Sequence, residues 1–269
     1  MEAIQDTVPM RLLPEHLIAI GEPVVALERI SALVGLSPRS VHAGVSRLRR
    51  QGRLFSPARG LYVAVPPEYR SWGVVPAEWF IDPMMAHLGR TYYVGLLTAA
   101  AMHGAAHQAP QVFQVMIDRQ LADRDLGRVR LRLHVNSLLE QEGLLPTVEI
   151  PTHTGTLVAA SRELTAVDLV TSPDDAGGLD NVATVLVELG RLDVGQLASV
   201  CRRVPRAVTR RLGWLLAHVA AHSGLGDLQR LAAPDVGDPT PLDTHGERAG
   251  PRDIDWGIIV NASVEPDVW

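Results

Sequence analysis

Few residues in this 269-residue chain stand at spacings that could do chemistry. His103 and His107, in HGAAH, are four apart and would share a helix face, as two zinc ligands can. The glutamate of a zinc-protease motif is absent and no third ligand is evident, so the expectation is packed or surface histidines and no metal. Asp253 and Asp255, in RDIDW, could form a carboxylate pair that holds magnesium against substrate phosphates. No Gly-Ser element lies upstream at a useful distance, and the pair follows a Pro/Gly loop where aspartate is common in turns. Asp174 and Asp175, before Gly177-Gly178, read as a helix-leading turn. Cys201 is the single cysteine, which excludes an intramolecular disulfide and a cysteine-based zinc knuckle. These residues give no catalytic assignment and no cofactor.

Arginine offers more. The stretch from 35 to 66, GLSPRSVHAGVSRLRRQGRLFSPARGLYVAVP, holds six arginines and no acidic residue, although the chain's formal charge is −5. Residues 1–66 carry eight arginines against five acids, whereas the remainder carries 17 against 25. Such asymmetry implies different partners for the two parts. All 25 basic residues are arginine and none is lysine, which removes Schiff-base chemistry, a Walker-type phosphate loop and a Ser–Lys dyad. The start, MEAIQDTVPM, lacks the basic and apolar segments of a signal peptide. The longest apolar run, near Tyr92 to Ala106, is too short to span a bilayer. A cytoplasmic protein with no membrane partner is the expectation.

The elements that would hold those arginines are legible. Pro14 suits the first turn of a helix over about 12 to 20, and Leu27, Ile30, Leu33 and Val34 fall on one stripe of a second. Gly35 breaks it, and Ser37-Pro38 is an N-cap and first-position pair for a third. In that third helix Val41, Val45 and Leu48 share the inward face. The outward face centres on Arg39, Ala43, Ser46 and Arg50, flanked by His42 and Arg47. It could meet phosphates through arginine and base edges through serine, histidine or arginine. Strand signals follow in RLFS and LYVAV, joined by a Pro57-Ala58-Arg59-Gly60 turn whose arginine could reach a minor groove or phosphate. Helices followed by a small hairpin are the layout of a winged helix-turn-helix. The expected DNA-binding residues are Ser37, Arg39, Ser40, His42, Ser46, Arg47, Arg49, Arg50 and Arg59.

After a packed connector rich in proline and aromatics, TYYVGLLTAAAMHGAA reads as a small-residue helix. Strands are expected at 112–117, 129–135, 147–151 and 156–160. Helices follow, the first capped near Ser161, and DWGIIVNASV reads as a returning final strand. The fold class is α+β, a winged helix-turn-helix followed by a larger mixed α/β domain. The expected division is 1–66, a linker over 67–83, and 84–269. In CRRVPRAVTRR, Arg202, Arg203, Arg206, Arg210 and Arg211 form a second basic patch. Its readings are a solvated helix face or an added contact with DNA, a protein partner or RNA.

The order of these motifs, from GLYVAVPPEY through TYYVGLLTAAAMHG and SRELTAVDLV to WGIIVN, resembles the AbiEi-type antitoxins of type IV toxin–antitoxin, or abortive-infection, systems. The resemblance implies a DNA-binding repressor that acts on inverted repeats in its own operon and neutralises a nucleotidyltransferase-type toxin. It implies double-stranded DNA and that toxin as partners, and no enzymatic activity. A monomer in solution that pairs on DNA is the expected state. Two other readings stay open: a stand-alone regulator whose C-terminal domain senses a small ligand, and an enzyme around Asp253 and Asp255 fused to a DNA-targeting module.

Overall fold

A computed structural model describes residues 7–106, 110–140, 143 and 145–267. Three helices open the chain: α1 (Leu13–Ala19), α2 (Leu27–Val34) and α3 (Pro38–Arg50), with a short strand β1 (Val24–Ala26) between the first two. Pro14 lies in the first turn of α1, and α2 ends on Gly35, whose φ of 61° closes the helix at little steric cost. A hairpin follows, β2 (Leu54–Ala58) and β3 (Leu61–Ala64), with a bulge between Phe55 and Ala58. β3 is central in the three-stranded antiparallel sheet β1-β3-β2. Three residues between a proline and a helix show no alternation, so β1 has no sequence signature. The arrangement is compatible with a winged helix-turn-helix.

Pleating makes the hairpin two-sided. Leu54, Tyr62 and Ala64 join Leu13, Leu17, Ile30, Val41, Val45 and Leu48 in one core. Phe55, Leu61, Val63 and Val65 point the other way, onto Val74, Val75, Phe80 and Ile81 of the next segment. The rings of Phe55 and Phe80 meet edge to face at 5.2 Å. That segment ends in α4 (Ile81–Leu88) and fills the space between the small sheet and a larger one.

The larger sheet is built from β4 (Tyr92–Val94), β5 (Phe113–Ile117), β6 (Arg124–Leu126), β7 (Val129–Val135), β8 (Thr147–Thr152) and β9 (Gly155–Ala160), in the order β6-β7-β5-β4-β9-β8. The β5–β7 and β4–β9 pairs are parallel and the others antiparallel. Tyr92, Val94, Val115 and Ile117 face α4 and its flanking segment. Tyr93, Met116 and Ala160 face the helical layer. That layer comprises α5 (Leu96–Met102), α6 (Arg162–Thr171), α7 (Leu179–Glu188), α8 (Val194–Cys201), α9 (Arg206–His218) and α10 (Gly226–Ala232). Ser161 caps α6 as expected, its Oγ accepting from Leu164 N at 3.2 Å.

Two expectations are corrected. The helix expected across 91–106 begins as strand β4, because two aromatics and a valine suit a central strand paired on both sides. Gly95 then separates strand from α5. A Cβ there would sit 2.6 Å from Met116 Cγ, so the sheet and helix layers can close only over glycine. The final strand does not return to the large sheet. β12 (Ile258–Ile259) pairs instead with β10 (Thr240–Pro241) and β11 (Arg252–Asp253), forming a small separate sheet.

Candidate nucleic-acid interface

α3 presents its buried face, Val41, Gly44, Val45 and Leu48, to the first core. Gly44 lies against Met10, so close that a Cβ would meet Met10 Cγ at 2.5 Å. Arg39, Ser40, His42, Ser46, Arg47, Arg49 and Arg50 are all exposed on the other side. Ser37 is the N-cap, accepting from Ser40 N at 3.4 Å, and the Ser37 and Ser40 hydroxyls lie 2.9 Å apart. Those two serines hold each other and the first turn, while Arg39 between them and the polar positions further along the helix point to solvent.

Pairing separates the arginines into two groups. Arg53 donates to Glu15 at 2.6 Å and Arg70 to the same carboxylate at 2.8 Å, while Arg29 pairs with Glu22 at 3.0 Å. By contrast, the side chains of Arg39, Arg47, Arg49, Arg50 and Arg59 have no hydrogen-bond or ion-pair partner among the described residues. The electrostatics of this face are thus uncompensated in a protein that is acidic overall. Arg59 is exposed at the hairpin turn, and its own carbonyl accepts from His87 Nε2 of α4 at 3.0 Å. The turn is therefore tied down from below while its guanidinium stays free.

One contributor was not read from the sequence. The β6–β7 turn, Leu126-Gly127-Arg128, faces the C-terminal end of α3 across a groove of about 470 Å³ lined by Ser46, Arg49, Arg50 and Trp72. The Arg128 guanidinium lies 5.1 Å from the centroid of the Trp72 ring, and both side chains are exposed. Arg124, Arg128, Arg130 and Arg132 mark this hairpin in the sequence, but nothing local says that it lies beside α3.

The second basic patch is dispersed. Arg210 is 3% exposed. Its guanidinium donates to the carbonyls of Ala232 (3.0 Å), Ala233 (2.8 Å), Val236 (2.7 Å) and Asp238 (2.8 Å) and to Thr240 Oγ1 (3.4 Å). Burial, and then the charge of Arg206, lower its pKa. The i,i+4 spacing from Arg206 suggested a shared solvated face. Instead Arg210 folds under the 232–240 loop, whose carbonyls need a donor in the interior. Arg211 is half-buried and donates to Pro241 O at 2.9 Å, and Arg203 is half-buried on Ser199. Arg202 and Arg206 remain exposed.

The other chemical candidates do not assemble. His103 Nε2 is 2.7 Å from Ala160 O, just beyond α5, and His107 lies outside the described residues. Asp253 is engaged by His218 Nε2 at 2.8 Å and by Trp256 N at 3.0 Å, while Asp255 is exposed. Among the described residues no cluster of three or more His, Cys, Asp or Glu could hold a metal. Cys201 is buried, and burial pushes its thiol up to about 11, away from nucleophilic use. No helix among the described residues is long and apolar enough to cross a membrane.

Residues 93–218 match the family model of the AbiEi antitoxin C-terminal domain. The resemblance read from the motif order therefore holds for the region containing the large sheet and α5–α9. The whole chain is similar to the RV2827C protein from Mycobacterium tuberculosis, with a TM-score of 0.68 at 17% identity over 93% of this chain and 91% of that one. That likeness shows a shared fold. An antigenic nucleotidyltransferase-like protein from Paracoccidioides brasiliensis is also similar, at 10% identity over 58% of this chain and 90% of that one. Its TM-score of 0.33 is too low to carry an argument. No curated protein matches the sequence.

Proposed function

We propose that this chain, which carries an AbiEi antitoxin C-terminal domain over residues 93–218, is a DNA-binding antitoxin that represses its own operon. The single observation behind the DNA-binding half is the unpaired arginine face of α3. Its uncompensated cations lie on one exposed helix, while Arg53 and Arg70 close by share the carboxylate of Glu15 and Arg29 pairs with Glu22. Arg39, Arg47, Arg49, Arg50 and Arg59 neutralise phosphates and give salt-dependent affinity. His42 and Ser46, midway along the same face, reach base edges in the major groove, with Ser37 and Ser40 shaping the helix start. Arg128, held over Trp72, extends the phosphate contact beyond the end of α3. Two copies, monomers in solution, meet on inverted repeats.

The domain assignment supplies the second half of the proposal. The region over 84–269 opposes a toxin of the nucleotidyltransferase class, 1–66 binds DNA, and 67–83 joins them. The reading assigns no reaction to the chain itself, and places it in the cytoplasm with the toxin.

Two measurements test the halves separately. Binding of the full chain to its own promoter is measured at several salt concentrations, with Arg39→Glu/Arg47→Glu as the variant. Loss of at least about 100-fold in affinity is expected, with a salt slope smaller by roughly 2. A variant that binds like the parent removes α3 from the interface. Co-expression with the neighbouring gene then measures survival; toxicity that this chain does not relieve refutes the antitoxin half.

A further inference from the structure

Trp72 is 44% exposed, and among the described residues no other tryptophan, tyrosine or phenylalanine lies as open to solvent. It is also held in place. A 3-10 turn over Pro67–Tyr69 leads into it, Trp72 N donates to Tyr69 O at 2.9 Å, and Gly73, with a φ of 68°, turns the chain away. The Tyr69 ring meets Trp72 edge to face at 5.6 Å and meets Trp79 in the same manner at 5.4 Å. His153, from the β8–β9 turn, stacks on Trp79 at 4.2 Å. This run of rings braces the indole, so little side-chain freedom remains to be lost on binding.

The indole lines the groove of about 470 Å³ at the C-terminal end of α3, together with Ser46, Arg49 and Arg50. No acidic side chain lines it, and neither guanidinium has a hydrogen-bond or ion-pair partner among the described residues. Gly52, Gly73 and Gly127 bring no side chains of their own, which leaves the groove open beside the ring. Arg128 stands at its rim, 5.1 Å from the indole centroid. An exposed ring in a groove whose only charges are cationic has two complements at once, a flat π-system and a polyanion. An unpaired nucleotide supplies both, its base to the ring and its phosphate to arginine. In a duplex the faces of the bases are covered by their neighbours, so stacking on a side chain takes a single strand. An acidic protein segment would satisfy the arginines and leave the indole without a flat partner.

We propose that this groove binds single-stranded nucleic acid, with a base stacked on Trp72 and the flanking phosphates on Arg49, Arg50 and Arg128. The site goes beyond the operator contact, although it shares the last turn of α3 with it. A single strand lying there competes with the promoter duplex for Arg49 and Arg50. The two readings fail separately, because duplex binding tests the α3 face and Trp72 tests the groove.

The experiment is fluorescence anisotropy of labelled dT and U strands of about 12 nucleotides with the full chain, at several salt concentrations. Binding is expected with Kd below about 100 μM at low salt, and with a log–log salt slope near about −2 for three phosphate contacts. Binding of either strand supports the proposal, and the tighter of the two names the source. Trp72→Ala should weaken the strands about tenfold, by the same factor at every salt concentration, because stacking releases no counterions. Arg128→Gln should instead make the slope shallower by about 0.7. Trp72→Phe keeps a ring, so it should bind within about threefold of the parent while losing the quenching of tryptophan fluorescence that binding causes. That variant carries the test if Trp72→Ala does not fold. Failure of both strands to bind overturns the proposal, as does binding that Trp72→Ala leaves intact. A poly-glutamate peptide that displaces the strands as well as unlabelled dT does would show that the groove reads charge alone, and would overturn it too.

Discussion

Replacing Asp168 by asparagine should flatten the pH dependence of stability. The carboxyl is buried between α6 and the sheet, and its pKa is about 8 in the fold against 3.8 as the ordinary value. Between those two pH values the unfolded chain has released a proton that the folded chain keeps. Unfolding therefore releases a proton, and stability falls as pH rises, by about 1.4 kcal/mol per unit from this one group. The penalty is absent below about pH 4, grows through neutrality, and stops growing above about pH 8, where both states are ionised. From pH 5 to pH 7 it amounts to about 3 kcal/mol. Asparagine retains an oxygen for Tyr93 Oη and has nothing to ionise. Tyr93, whose own pKa burial and the adjacent Asp168 push up, stays neutral throughout. Every other residue is common to both proteins, so the difference between them isolates Asp168. Urea unfolding of the two proteins at pH 5, 6 and 7, at constant ionic strength, reads the effect directly. The asparagine variant should gain about 2–3 kcal/mol relative to the parent across that range. Parallel profiles would mean that Asp168 ionises normally, and would refute the reasoning from burial.

Three further outcomes follow from the arginines. Arg210→Met removes the donors that hold the carbonyls of Ala232, Ala233, Val236 and Asp238, and should cost about 3–5 kcal/mol in unfolding experiments. Arg206→Glu, on the exposed neighbour, should change stability by less than about 1 kcal/mol in the same experiments. Arg128→Glu should weaken operator binding about tenfold by gel shift while leaving the melting temperature unchanged; undiminished binding would confine the interface to the first 66 residues.

α3 was legible because cap, proline and apolar spacing agree, and all three are local. The face it exposes followed from periodicity alone. Strand β4 was not legible: Tyr92-Tyr93-Val94 runs into a small-residue helix, and only pairing with β5 and β9 makes it a strand. Arg210 misled because helical spacing says which residues share a stripe, not which carbonyls descend on that stripe from 22 to 28 residues away. The burial of Asp168 was equally hidden, because the Tyr93 hydroxyl that donates to it stands 75 residues away in the chain.

The β2–β3 hairpin has one further consequence. Because Phe55, Leu61, Val63 and Val65 are covered by residues after Pro66, a chain cut there does not yield two working pieces. One fragment would bare the outer side of its sheet, the other Val74, Val75, Phe80 and Ile81. On the proposed reading, proteolysis would then end promoter occupancy and protection from the toxin in the same event. The cell would resume transcription of the operon at the moment its guard is lost, with no intermediate in which a surviving repressor keeps the replacement from being made.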